Sequence, residues 1–164
     1  MPGLPDWAWI ATPGHSPGHV SFFRSFDRVL LAGDAFATMN MDSWMGLIGG
    51  KKELARAGAP FNTDWNATRE SVKRLADLRP HVVGCGHGIP MCDSGLPDRL
   101  ERFSGRLRAP RHGRYAAAPA VSDETGIVTV PPAPYDPVPL ATAAALLATG
   151  IALGSGYLEE QLRD

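Results

Sequence analysis

Three short apolar runs, each broken off by a glycine-containing loop, limit the folds open to this chain more than any other feature. Trp7 to Thr12 stops at Pro13-Gly14 and Pro17-Gly18, Val29 to Ala32 at Gly33-Asp34, and Val82-Val83 at Gly84-Cys85-Gly86-His87-Gly88. Runs of this length followed by turn residues are strand-sized. In the first, Trp7, Trp9 and Ala11 alternate with Ala8, Ile10 and Thr12. A further run, Val20 to Phe23, is separated from Val29 to Ala32 by Arg24 to Arg28, which predicts an antiparallel hairpin. Thr63 or Asp64 can cap a helix whose Val72, Leu75, Ala76 and Leu78 fall at helical spacing, and Pro80 stops it. Strand, helix, strand is the βαβ order of an α/β fold, a mixed α+β sheet with helices on its face. A second amphipathic helix is expected from Pro97 to Leu107, and one weak strand at Ile127 to Val130. The stretch Ala35 to Phe61 is irregular; its Met39, Met41, Trp44, Met45, Leu47 and Ile48 are expected to pack as a loop or short helix where a substrate lid could sit.

Composition narrows the partners. A net charge of -1 over 164 residues supplies no field that would draw the chain to nucleic acid. The arginines Arg99, Arg102, Arg106, Arg108, Arg111 and Arg114 read as a solvated helix face and its tail, since only Phe103 and Tyr115 lie near enough to act as stacking aromatics. Cys85 and Cys92 are too few for a secreted disulfide framework. Met1 to Trp9 has neither a basic nor an apolar signal region, so the cytosol is the expected compartment. Three segments are expected: a globular domain over 1–115, a Pro-rich linker over 116–137 and an apolar helix over 138–158. Pro131 to Pro139 contains five prolines, and Val138 to Leu158 contains no charged residue. That segment is long enough to lie in or span a membrane, which would anchor the globular part to the inner face; its alanine-rich composition also suits a helix docked on protein.

The chemistry gathers at the loops. His15, Asp34 and His87 each follow a strand-like run, and strand ends meet at one edge of a sheet, so the three can surround one point. Two imidazoles and a carboxylate suit zinc, iron or manganese. The plainer readings are a backbone-bonded histidine in a Pro-Gly turn for His15, a turn or helix-capping aspartate for Asp34, and a turn histidine for His87. A zinc site built from Cys85, His87 and Cys92 is a weaker alternative, because the spacing fits no structural zinc pattern. Asn66-Ala67-Thr68 matches a glycosylation acceptor but also opens a helix.

Thr12-Pro13-Gly14-His15-Ser16-Pro17-Gly18-His19, then Leu31-Ala32-Gly33-Asp34, then Gly86-His87-Gly88 resemble the later sequence motifs of the metallo-β-lactamase superfamily in their order. The resemblance covers about Ile10 to Gly88. It implies a metal-dependent hydrolase acting on a small-molecule substrate, with His15 on one metal ion, Asp34 bridging two, and His87 on the second. His19, at the start of a strand, is expected to be structural. The family's H-x-H-x-D-H string, which supplies ligands to both ions, occurs nowhere in this sequence, and His19, His81 and His112 cannot rebuild it. The expectation is therefore the C-terminal half of an αββα sandwich, from a truncated product or a misplaced start. One or two ions in a complete member would be bound weakly or not at all here, and the isolated chain would be inactive or nearly so, with a homodimer as one route to completing the shell. The rival is a non-catalytic, membrane-attached interaction module.

Overall fold

The computed structural model describes residues 3–42, 51–58 and 61–134. Contacts divide the chain into Met1–Ala133 and Pro134–Asp164. All the secondary structure described below belongs to the first unit.

Four strands form the main sheet: β1 (Trp7–Ala11), β2 (Val20–Arg24), β3 (Val29–Gly33) and β4 (Val82–Cys85), in the order β1-β2-β3-β4. The β1–β2 and β2–β3 pairs are antiparallel, the second as the run spacing predicts. β4 lies parallel to β3, because helix α1 (Trp65–Asp77) carries the chain back between them. A parallel neighbour needs such a crossover, and the helix that supplies it also covers one face of the sheet.

Alternation along the strands decides which side chains that helix meets. Leu30, Ala32 and Val83 point to one face, with Ile10 and Phe23 beside them, and pack against Val72, Leu75 and Ala76 of α1. Leu96 and Leu100 of helix α2 (Leu96–Arg106) close the same core. On the opposite face, Trp9, Phe22, Leu31 and Gly84 are successive partners across the strands. Trp9 there is 62% exposed and Leu31 44%.

Helix α1 starts where its cap requires. The Asp64 carboxylate accepts from the backbone N–H groups of Asn66 and Ala67 at 2.8 and 3.0 Å, which satisfies two of the helix's open donors. Thr63, the alternative cap, instead turns its hydroxyl toward the β1–β2 loop. The helix ends at Leu78, and Arg79 then takes a left-handed turn (φ 47°) before Pro80.

Past β3 the described residues pair singly rather than as strands: Ala37 bridges Ala55, and Thr38 bridges Gly88. Trp44, Met45, Leu47 and Ile48, part of the expected lid, lie outside the described residues, as does the apolar segment 138–158. Among the described residues no helix is long and apolar enough to cross a membrane. A small antiparallel hairpin, β5 (Val121–Asp123) with β6 (Gly126–Thr129), falls within the Pro-rich stretch, where one weak strand was expected and its partner was not.

Candidate metal centre

The C-terminal ends of β1, β3 and β4 and the start of β2 meet at one edge of the sheet. Ala11 pairs with Val20 there, and Gly33 with Cys85. The loops leaving this edge bring His15, Asp34 and His87 together, as the strand-end reading predicts. His15 Nε2 stands 3.9 Å from Asp34 Oδ2, and His87 Nε2 stands 3.8 Å from Asp34 Oδ1. Both separations are too long for hydrogen bonds. Each imidazole thus faces a different oxygen of one carboxylate without bonding it, and the carboxylate has no hydrogen-bond donor among the described residues.

Each of the three is held from behind. Between Leu31 and Gly33 the register of β3 against β4 slips, and Gly33 turns left-handed (φ 58°), a combination that re-aims the residue that follows, Asp34. Glycine at 86 then leaves the carboxylate its room, since a Cβ there would lie 2.2 Å from Asp34 Oδ1. The His15 loop is gripped by the beginning of α1. Thr63 Oγ1 donates to the carbonyls of Gly14 and His15 at 3.0 and 3.2 Å, Asp64 N–H donates to Gly14 at 2.9 Å, and Ser71 Oγ donates to Pro13 at 2.8 Å. The carbonyl of His87 accepts from Thr38 N–H at 3.1 Å.

His19 has an unusual set of partners. Its Nε2 accepts the backbone N–H of Asp34 at 2.9 Å, and its Nδ1 lies 2.8 Å from Thr12 Oγ1 and 3.1 Å from the Thr12 carbonyl. Burial, helped by the nearby His15, lowers its pKa against the opposing pull of the Thr12 hydrogen bond and the Asp34 charge. The neutral ring is the form that can accept at Nε2. A structural role agrees with the sequence reading; its grip on Asp34 does not follow from sequence, although the Thr-Pro-Gly-His loop contains both His19's anchor and His15.

The donor set fits metal in part. Two imidazole nitrogens flank one carboxylate, and His15 Nδ1 is buried with no hydrogen-bond partner. Among the described residues, however, no three His, Cys, Asp or Glu side chains are grouped to hold a single ion. Among the described residues the arrangement suits two partial sites that share Asp34, each with one histidine. The Cys85, His87, Cys92 set is not assembled. Burial, followed by the charge of Asp34, pushes the Cys85 thiol up to about 12, so it stays protonated at neutral pH, while Cys92 is exposed.

Comparison with known proteins agrees with the motifs. Residues 1–87 match the family model of the metallo-beta-lactamase superfamily. The probable metallo-hydrolase YflN of Bacillus subtilis (strain 168) is 42% identical over 107 residues, which make up 65% of this chain and 40% of that protein. A second probable metallo-hydrolase of that bacterium, YybB, is 34% identical over 80 residues, 49% of this chain and 31% of the relative. The matched part of this chain therefore spans less than half the length of either relative. Among solved structures, a metallo-beta-lactamase superfamily protein of Sulfolobus tokodaii is 27% identical with a TM-score of 0.42, over 61% of this chain and 32% of its own.

Proposed function

We propose, from the premise that this chain belongs to the metallo-beta-lactamase superfamily, that His15, Asp34 and His87 are metal ligands of a hydrolase centre. The observation that carries the reading is the placement of two imidazole Nε2 atoms against opposite oxygens of one carboxylate, 3.9 and 3.8 Å away and unbonded. Asp34 would be shared between two ions, His15 would serve one and His87 the other. Zinc, iron and manganese all accept this mixture of nitrogen and oxygen donors. Ions held there supply a bound water acidic enough to act as hydroxide near neutral pH and a Lewis acid for a substrate oxygen.

The chain's own contribution is placement. Thr63, Asp64 and Ser71 hold the His15 loop, Gly86 leaves the space that the Asp34 carboxylate fills, and Thr38 holds the backbone of His87. His87, with a side chain 54% exposed, leaves the mouth of the site open to a small molecule carrying a hydrolysable bond.

One histidine and a shared carboxylate fall short of the roughly three protein ligands that a catalytic zinc takes. With no H-x-H-x-D-H string in the sequence, the isolated chain binds metal weakly and turns substrate over slowly or not at all. Residues supplied by a longer form of the protein, or by a second copy in a homodimer, would complete the shell. A cytoplasmic location with attachment to a membrane through 138–158 belongs to the same proposal. Its test is metal analysis after equilibrium dialysis against zinc, alongside a panel of ester and phosphodiester substrates. Uptake well below one equivalent, reduced further by Asp34→Asn and by His15→Ala, is expected; uptake indifferent to both substitutions would sink the reading.

A further inference from the structure

The polar chain that runs through His19 begins just past β3 and ends on it. An imidazole that accepts the Asp34 N–H at Nε2 carries its proton on Nδ1 and donates it to Thr12. The Thr12 hydroxyl can then donate to Ser21 Oγ at 2.9 Å, and Ser21 Oγ donates to the carbonyl of Ala32 at 3.0 Å. Every donor finds an acceptor in one direction, from Asp34 through His19, Thr12 and Ser21 back to Ala32. Thr12 and Ser21 are fully buried, so no water competes for these bonds. The same ring stands edge-on to His15, with centroids 6.1 Å apart. Glycine at 33 lets it come so near, because a Cβ there would lie 2.7 Å from His19 Nε2.

We propose that His19 is a positioning residue for the candidate metal centre, fixing the backbone of Asp34 relative to the loop that carries His15. This rests on the reading of His15, Asp34 and His87 as ligands. His19 itself is not a ligand: Nε2 is taken by the Asp34 amide and Nδ1 by Thr12. Its effect on metal is indirect, through the aim of the carboxylate and the path of the loop, as residues behind metal ligands commonly act.

Two substitutions separate this role from simple packing. His19→Gln puts an amide oxygen near the Nε2 position and keeps an acceptor for Asp34 N–H. His19→Asn keeps a polar group near Nδ1 and leaves that N–H without its partner. Zinc titrations of the full chain, followed in 1H–15N spectra, should show the dissociation constant rising about tenfold to a hundredfold for His19→Asn and only about threefold or less for His19→Gln. Hydrogen exchange at the Asp34 amide should be slow in the unsubstituted and Gln chains and fast in the Asn chain. Zinc affinities that move equally in both variants, or in neither, would overturn the proposal. So would an Asp34 amide equally protected in all three chains, whether or not zinc binds. A chain that shows no zinc response even unsubstituted would instead defeat the ligand reading of His15, Asp34 and His87, and the exchange comparison would still decide whether His19 holds Asp34.

Discussion

Gly86 leaves room for the Asp34 carboxylate, and the thiol of its neighbour Cys85 feels that carboxylate's charge. Gly86 supports it by absence, because an added methyl would sit 2.2 Å from Asp34 Oδ1 and the carboxylate would have to swing away. Gly86→Ala should therefore cost about 1 to 3 kcal/mol of stability as an overpacking change and weaken zinc uptake together with it. A denaturant melt and a zinc titration on the same sample check this; an unchanged zinc affinity would show that the carboxylate has other room. Cys85, next to Gly86 in the chain, has a thiol that burial and then the Asp34 charge keep protonated. Its thiol ionises near 9.0 in an unfolded chain and about 12 when folded, so the folded state keeps a proton that the unfolded state gives up. Stability from this group is thus complete below pH 9 and is lost as pH rises toward 12. Alkylation at pH 8 should accordingly label Cys92 and spare Cys85, which peptide mass mapping reads directly. The meeting of His15, Asp34 and His87 was legible because each follows an apolar run within a motif. The residues that grip them were not, since Thr63 and Ser71 reach loop carbonyls 49 and 58 residues away and no local pattern marks such a pairing.

The elements differ in how openly the sequence declares them, and the apolar pattern each one carries accounts for the difference. Helix α1 has a capping aspartate, apolar residues at helical spacing and a proline beyond its end, and the structure uses all three. The β1, β2 and β3 runs were legible because one face of each must enter the core. β5 was not, because Val121-Ser122-Asp123 offers a single apolar residue, whereas the equally exposed β6 carries adjacent Ile127 and Val128. Burial sets the energetics. Leu75 is fully buried between the sheet and α2, so Leu75→Ala should cost about 2 to 5 kcal/mol. Asp64→Ala removes two cap bonds at the surface end of α1 and should cost about 1 kcal/mol. Urea midpoints of the two variants give the comparison, and a cap variant as damaging as the core variant would mean that the hold of α1 on the His15 loop, rather than the cap, sets stability there.

On the scale of the molecule, two helices cover one face of the sheet and, among the described residues, none covers the other. Leu30, Ala32 and Val83 are sealed by the two helices, while Trp9, Phe22 and Leu31 line up across β1, β2 and β3 on the opposite side. Toward one end of that face the Arg24 guanidinium lies 4.7 Å from the centre of the Trp7 ring and is paired with Asp27, which gives that end a polar cover. Trp9 at 62% and Leu31 at 44% exposure have no comparable cover among the described residues. Contiguous apolar surface of this kind favours association, and β1 lies beside it at the edge of the sheet. The chain should therefore self-associate as its concentration rises, and Trp9→Ser together with Leu31→Ser should reduce that association without lowering the thermal midpoint by more than a few degrees, since neither side chain belongs to the buried core. Sedimentation velocity over a dilution series measures the first effect and a thermal melt the second. A chain that stays monomeric throughout the series would show that this face is satisfied as it stands, and a double variant that associates as before would place the contact elsewhere.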